Sequence, residues 1–321
     1  MDLAKGEKII LENLYEELSK VVIGRQKEIK LLFTSLISKG HVLLEDLPGM
    51  GKTTLVKAFS KVLDCSFSRI QCTPDLLPSD VIGMSIFSPK SSEFSFRKGP
   101  IFTNILLVDE INRALPRTQS SLLEGMEEGQ VSVEGQASLL ERPFMVLATQ
   151  NPIEMEGTFP LPEAQMDRFL MKIRMGYPTI EEEELMLKKV GDELPYDQLN
   201  SLFSPEAIVY MQSKAEQVFV HDSISSYIVA LATETRRHPM FTVGVSPRAT
   251  KALYKAVKSW ALINQRDYVL PDDIKELVAP VWNHRVVLTP EASLSGMQSE
   301  KILADILAKA PIPEEVLEKA Q

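Results

Sequence analysis

Cysteine is almost missing from this chain of 321 residues, which carries Cys65 and Cys72 and no other. With no partners at ligand spacing they exclude a disulfide-stapled scaffold and a cysteine zinc site, and they read as free thiols of a reducing compartment. Histidine is nearly as sparse. His41, His221, His238 and His284 show no ligand spacing and read as packed or surface residues. No run of Lys or Arg occurs, and the net charge is −9 with a pI near 5.2. A nucleic-acid footprint needs clustered basic residues, so no nucleic-acid partner is expected. No apolar run approaches membrane-spanning length, and Met1–Gly6 has no signal-peptide core. The expectation is a soluble, cytoplasmic protein without direct membrane insertion. What the chain does have is core material: 44% of it is hydrophobic, over a length that allows two domains.

One stretch organises the rest: Glu45-Asp46-Leu47-Pro48-Gly49-Met50-Gly51-Lys52-Thr53-Thr54. It follows the apolar run Val42-Leu43-Leu44 and precedes Leu55, Val56, Ala58, Phe59, Val62 and Leu63, whose spacing of three and four makes one apolar helix face. Strand, glycine turn and helix in that order are what a phosphate-binding loop requires, because backbone N–H groups curl round an anion at the positive helix end. Lys52 is then the phosphate lysine, and Thr53 the hydroxyl that holds Mg²⁺. Asp46 departs from the pattern, which has glycine there; aspartate tolerates the left-handed turn, but its charge is an odd neighbour for a polyphosphate.

Residues 8–20 read as an amphipathic helix through Ile9, Ile10, Leu14 and Leu18. Val21-Val22-Ile23-Gly24-Arg25 follows, either a plain connector or, beside a nucleotide, the apolar wall for a base, with Val22, Ile23 and Gly24 at the contact. Phe67–Gln71 reads as a short strand, and Glu93–Arg97 alternates within a turn-rich insert as half of a hairpin. Ile105-Leu106-Leu107-Val108-Asp109-Glu110 is a doubly buried strand with two acids at its carboxyl end, where open α/β sheets bind ligands. Asp109 is placed to hold Mg²⁺ and Glu110 to activate water. Residues 130–142 give a second candidate hairpin. Phe144–Thr149 is another buried strand, running into Gln150-Asn151-Pro152; Asn151 is either a phosphate or water contact or a turn residue before proline. Glu163–Phe169 reads as a short helix before a strand over 170–175, with Arg168 paired to Asp167 or Glu163 on its own helix or projecting from the subunit.

At Gly176-Tyr177-Pro178 buried strands stop and amphipathic helices take over, so the expected division is 1–177 and 178–321. Ser204, Asp222 and Ser246 are the expected helix caps. Arg248, in the first turn of its helix, works against the positive helix end unless a polyphosphate lies in front.

Taken together, Val22-Ile23-Gly24, Pro48–Thr53, Leu107–Ala114, Ala148–Pro152, Leu161–Phe169 and Gly244–Arg248 resemble the AAA+ ATPases, and within them the MoxR family, over nearly the whole chain. The resemblance implies a P-loop α/β core with a parallel sheet flanked by helices and a small all-α lid, working as a ring, commonly hexameric, with ATP and Mg²⁺ between subunits. It makes Lys52, Glu110, Asn151, Arg168 and Arg248 the catalytic set. Asn151 is the implied sensor 1, Arg248 the sensor 2 of the lid, and Arg168 the finger for a neighbour's nucleotide. Pro48, Gly49, Met50, Gly51, Thr53 and Thr54 complete the implied nucleotide contacts. The hairpins match inserts of the MoxR, chelatase and MCM branch. The family further implies chaperone-like maturation or activation of client proteins, often with metal cofactors and with von Willebrand factor A domain partners. A nucleotide-gated scaffold with little turnover and a chelatase-type motor subunit are the alternatives.

Overall fold

Alternate residues of three charge-free runs face opposite ways, and each face needs its own cover. The computed structural model describes residues 8–45, 49–89, 92–133, 135–151, 157–189 and 196–313. Its first half contains α1 (Lys8–Leu18), α2 (Gln26–Ile37), β1 (Val42–Glu45), α3 (Lys52–Val62), β2 (Phe67–Gln71), α4 (Pro78–Ile82), β3 (Gly83–Ser88), β4 (Glu93–Lys98), β5 (Ile105–Asp109), α5 (Pro116–Glu128), β6 (Gln130–Val133), β7 (Gln136–Leu139), β8 (Met145–Gln150), α6 (Glu163–Met166) and β9 (Met171–Ile173). The second half contains α7 (Ile180–Lys189), α8 (Pro205–Ala215), α9 (Asp222–Arg237), β10 (Phe241–Val243), α10 (Pro247–Ile263), α11 (Pro271–Trp282), β11 (Val287–Leu288), α12 (Pro290–Leu294) and α13 (Ser299–Lys309).

A five-stranded sheet runs β2-β5-β8-β1-β9, and every pairing in it is parallel. Leu44, Leu107 and Leu147 point into one core with α2, α3 and the lid helices, while Leu43, Leu106, Val108, Val146 and Ala148 point into a second with α5. Helices on both faces are what such all-apolar strands demand. The hairpins β3–β4 and β6–β7 stand outside this sheet as antiparallel pairs.

The parallel order gives the sheet two chemically different edges. Gly49–Gly51 follow the carboxyl end of β1 in the chain, and the acids at 109–110 stand at the carboxyl end of β5. Residues 167–170 enter β9 at the amino ends, where Leu170 N donates to His41 O at 2.8 Å.

Two expectations are corrected. The strand expected over 170–175 is Met171–Ile173, because the carbonyls of Met175 and Gly176 accept from the Arg25 side chain instead of a neighbouring strand. Asp222 is the first helical residue of α9 rather than its cap; His221 caps it, accepting from Ser223 N at 3.2 Å, and the aspartate still suits the positive helix end.

The lid is helical, with a short β10–β11 pairing, and is built around buried Trp282, Leu253, Ile274 and Leu277. It clamps the core through Arg285, whose guanidinium donates to the Asp167 carboxylate (2.6 Å) and to the carbonyls of Asp167, Phe169, Leu170 and Val281. That uses all five of its N–H groups. His284 adds Nε2 to Phe169 O at 3.0 Å.

Candidate active site

Gly49 and Gly51 take φ of +81° and +77°, values that other residues adopt at a cost, and the turn they make opens α3. The first N–H groups of such a helix have no intrahelical acceptor, and a helix end of that kind suits an anion. This one faces a cleft of about 380 Å³ lined by Gly49, Met50, Gly51, Lys52, Thr53, Thr54, Asp109, Glu110 and Asn151 from the expected set, and by Arg69, Gln71 and Thr149. Pro48 and Asp46 lie outside the described residues. Glu45, at the end of β1, is turned to Lys172 (2.5 Å) on β9 and to Arg174 (2.8 Å) just after it.

Strand order explains the convergence. β8 lies between β1 and β5, so Asn151 at its tip arrives between the phosphate loop and the acids. Thr149 ties the acids down: its hydroxyl donates to Asp109 Oδ1 at 3.3 Å and accepts from Glu110 N at 2.9 Å. Glu110 itself has φ +55°, a strain of about 1–3 kcal/mol for a side-chain-bearing residue, held by that hydroxyl. Both carboxylates carry an arginine. Arg69 Nε lies 2.6 Å from Asp109 Oδ2, and Arg113 Nε 3.0 Å from Glu110 Oε2. Behind them, burial together with the charges of Asp109 and Glu110 pushes the Cys72 thiol up to about 12, so it stays protonated at neutral pH and offers no nucleophile.

The oxygen donors of Thr53 and Asp109 suit a hard divalent cation that keeps most of its water and phosphate ligands.

Three groups of expected residues lie elsewhere. Val22 and Ile23 are buried and Gly24 turns with φ +68°, but they do not line the cleft; the Glu182 carboxylate of α7 stands where a Cβ on Gly24 would be. Arg168 pairs with neither Asp167 nor Glu163 but with Glu127 of α5, Nε to Oε2 at 3.1 Å. Arg248 joins the same Glu127 through Nη2 at 3.1 Å and reaches Asp167 at 3.6 Å. The anion in front of its helix is therefore a pair of carboxylates, and the two arginines sit together beside the loop that enters β9, at the amino edge of the sheet.

Arg69, Gln71, Thr149 and Glu127 escaped the sequence reading. A signal existed for the first two, since Arg69 and Gln71 alternate with Ile70 on one strand and must share a face.

A family model described as "ATPase family associated with various cellular activities (AAA)" matches residues 41–171, and one for the AAA lid domain matches 233–306. The chain is 40% identical over 313 residues to Chaperone MoxR1 of Mycobacterium tuberculosis, covering 95% of this chain and 82% of that one. It is 32% identical to Protein MoxR of Paracoccus denitrificans, covering 85% and 87%. It belongs to the MoxR family of AAA+ ATPases. A crystal structure of a Cytophaga hutchinsonii protein superposes on this MoxR-family chain with a TM-score of 0.90 at 39% identity, covering 97% of each. Family membership supports ATPase activity in general, and among the described residues no helix is long and apolar enough to cross a membrane.

Proposed function

We propose that this MoxR-family chain hydrolyses ATP to ADP and phosphate in a cleft that a second copy completes, and couples the cycle to chaperone-like maturation or activation of partner proteins. One observation carries this reading. The cradle for phosphates and the acids sit at the carboxyl edge of the sheet, while Arg168 and Arg248 sit at its amino edge. Two arginines that stand away from their own chain's cleft are suited to a neighbour's.

In this reading the loop N–H groups and Lys52 bind the β- and γ-phosphates, and Thr53 and Asp109 would hold Mg²⁺, which supplies neutralising charge to the phosphate oxygens. Glu110 takes a proton from the attacking water, and Asn151 orients that water. Arg168 of the neighbour balances charge on the departing phosphoryl group, a contribution of about 10³–10⁵ in rate for arginine fingers. Arg248, beside it, contacts the same phosphates. Glu127 must first release both arginines, so an isolated subunit turns over slowly. The client side, with von Willebrand factor A partners among the candidates, is proposed from family membership alone.

The test is ATP hydrolysis against protein concentration for wild type, Arg168→Ala, Lys52→Ala and a mixture of the two variants. A rate per subunit that rises with concentration, falls in each variant and partly returns on mixing is expected. A rate that ignores both concentration and Arg168 would leave a monomeric switch.

A further inference from the structure

The Asp109 carboxylate is buried, and a buried carboxylate needs a cationic or hydrogen-bonding partner to stay ionised. In this structure its partner is Arg69. Arg69 stands on β2, the edge strand, two residues before Gln71, and its guanidinium places Nε on Asp109 Oδ2 at 2.6 Å and Nη2 on Gln71 Oε1 at 3.4 Å. The remaining carboxylate oxygen is engaged by the Thr149 hydroxyl. The same Oδ atoms are those a divalent cation in the cleft would use, directly or through its water.

We propose that Arg69 is the resident counter-ion of the metal site: it holds Asp109 in the empty state, competes with Mg²⁺ for it, and on displacement stays in the cleft as a second cation, with Lys52, for the phosphate chain. The inference rests on the nucleotide-site reading above but adds a residue and a competition to it.

Three features support a displaceable partner over a fixed strut. The Arg69 side chain is 50% exposed against 11% for Asp109, so the arginine can leave without opening the core whereas the acid cannot. A divalent ion brings twice the charge of the guanidinium to the same carboxylate oxygens, and the carboxylate would keep a cationic partner throughout the exchange. And Arg69 lines the cleft with Lys52, so displacement moves the guanidinium within the phosphate site rather than away from it.

The decisive measurement is Mn²⁺ binding to the nucleotide-free full chain, followed by electron paramagnetic resonance, in wild type, Arg69→Gln, Asp109→Asn and the double variant. Removing the competitor should tighten Mn²⁺ by about tenfold in Arg69→Gln, and the gain should vanish when Asp109→Asn is also present. A parallel titration with ADP in EDTA should show weaker metal-free nucleotide binding in Arg69→Gln, with Arg69→Lys between it and wild type. Unchanged or weaker Mn²⁺ binding in folded Arg69→Gln would overturn the proposal, because a purely structural arginine gives that result. The readout is independent of hydrolysis: tighter Mn²⁺ in a chain that never turns over ATP would retain Arg69's role while removing the ATPase reading.

Discussion

His41, the residue before β1, joins three elements with one imidazole: Nδ1 accepts from Val146 N of β8 at 3.0 Å, so Nε2 carries the proton and donates to Met126 O of α5 at 2.8 Å. The bond from Val146 requires the neutral ring, since a protonated Nδ1 has no lone pair to accept it. Burial, aided by Lys255 and opposed by the Met126 carbonyl, lowers its pKa to about 4 from 6.5. Because the folded value is the lower one, the unfolded chain binds the extra proton first, and stability present above pH 6.5 drains away as pH falls towards 4. The linkage amounts to about 2 kcal/mol between pH 7 and pH 5. Urea unfolding at the two pH values should show that loss in wild type, and His41→Gln should shrink it by roughly that amount. The remaining slope belongs partly to His284, also buried and held well below the usual histidine range. A pH slope equal in both proteins would remove His41 as its source.

Among the elements, the hairpin β3–β4 stands outside the main sheet and turns apolar side chains to solvent, with Phe94 73% exposed and Phe87 49%. Its root is a crossing of two glycines: a Cβ on Gly83 would stand 2.2 Å from Arg97 O, and Gly83 has φ +96°. Gly83→Ala should therefore loosen the hairpin by about 1–3 kcal/mol, seen as faster amide exchange over 83–98 with β5 protection unchanged. If β5 exchanged faster too, the hairpin would be part of the core rather than an appendage. Element by element, the sequence was most readable where one signal sufficed. β1, β5 and β8 announce themselves as charge-free runs; Lys52 is read from the glycine turn before its helix and Asp109 and Glu110 from the strand end they occupy, while Asn151 stays open until the family resemblance is weighed. Partners set by tertiary contact were not readable. Glu127 is one acid in a run of two at a helix end, and nothing local says that it faces Arg168 and Arg248. Arg69 looks like any polar residue of an edge strand until β2 pairs with β5. His221 displaced Asp222 as a cap because both residues can serve, and the choice depends on where α9 docks.

At the scale of the whole molecule, the lid and the arginine edge are one mechanical unit. Arg285 is almost wholly buried and grips residues 167–170, the loop that carries Arg168, while α10 brings Arg248 to the same Glu127. Removing one member of such a buried pair costs about 3–5 kcal/mol, so Arg285→Met should lower the melting temperature. Its specific effect is separable. When the Lys52→Ala partner in the mixing assay also carries Arg285→Met, the rescue of Arg168→Ala should fall about tenfold under conditions where the donor is still folded by circular dichroism. Undiminished rescue would mean that the loop holds Arg168 without the lid. The opposite placement of cleft and arginines on the sheet also has an arithmetic of its own. An open row of subunits joined cleft to arginine always ends in one cleft lacking its arginines and one arginine pair lacking a cleft. A two-fold dimer formed through the arginine edges would leave both clefts incomplete. If a neighbour's arginines complete the cleft, as proposed, only a closed circuit, whatever its number of members, equips every cleft, and closure rather than association becomes the productive event.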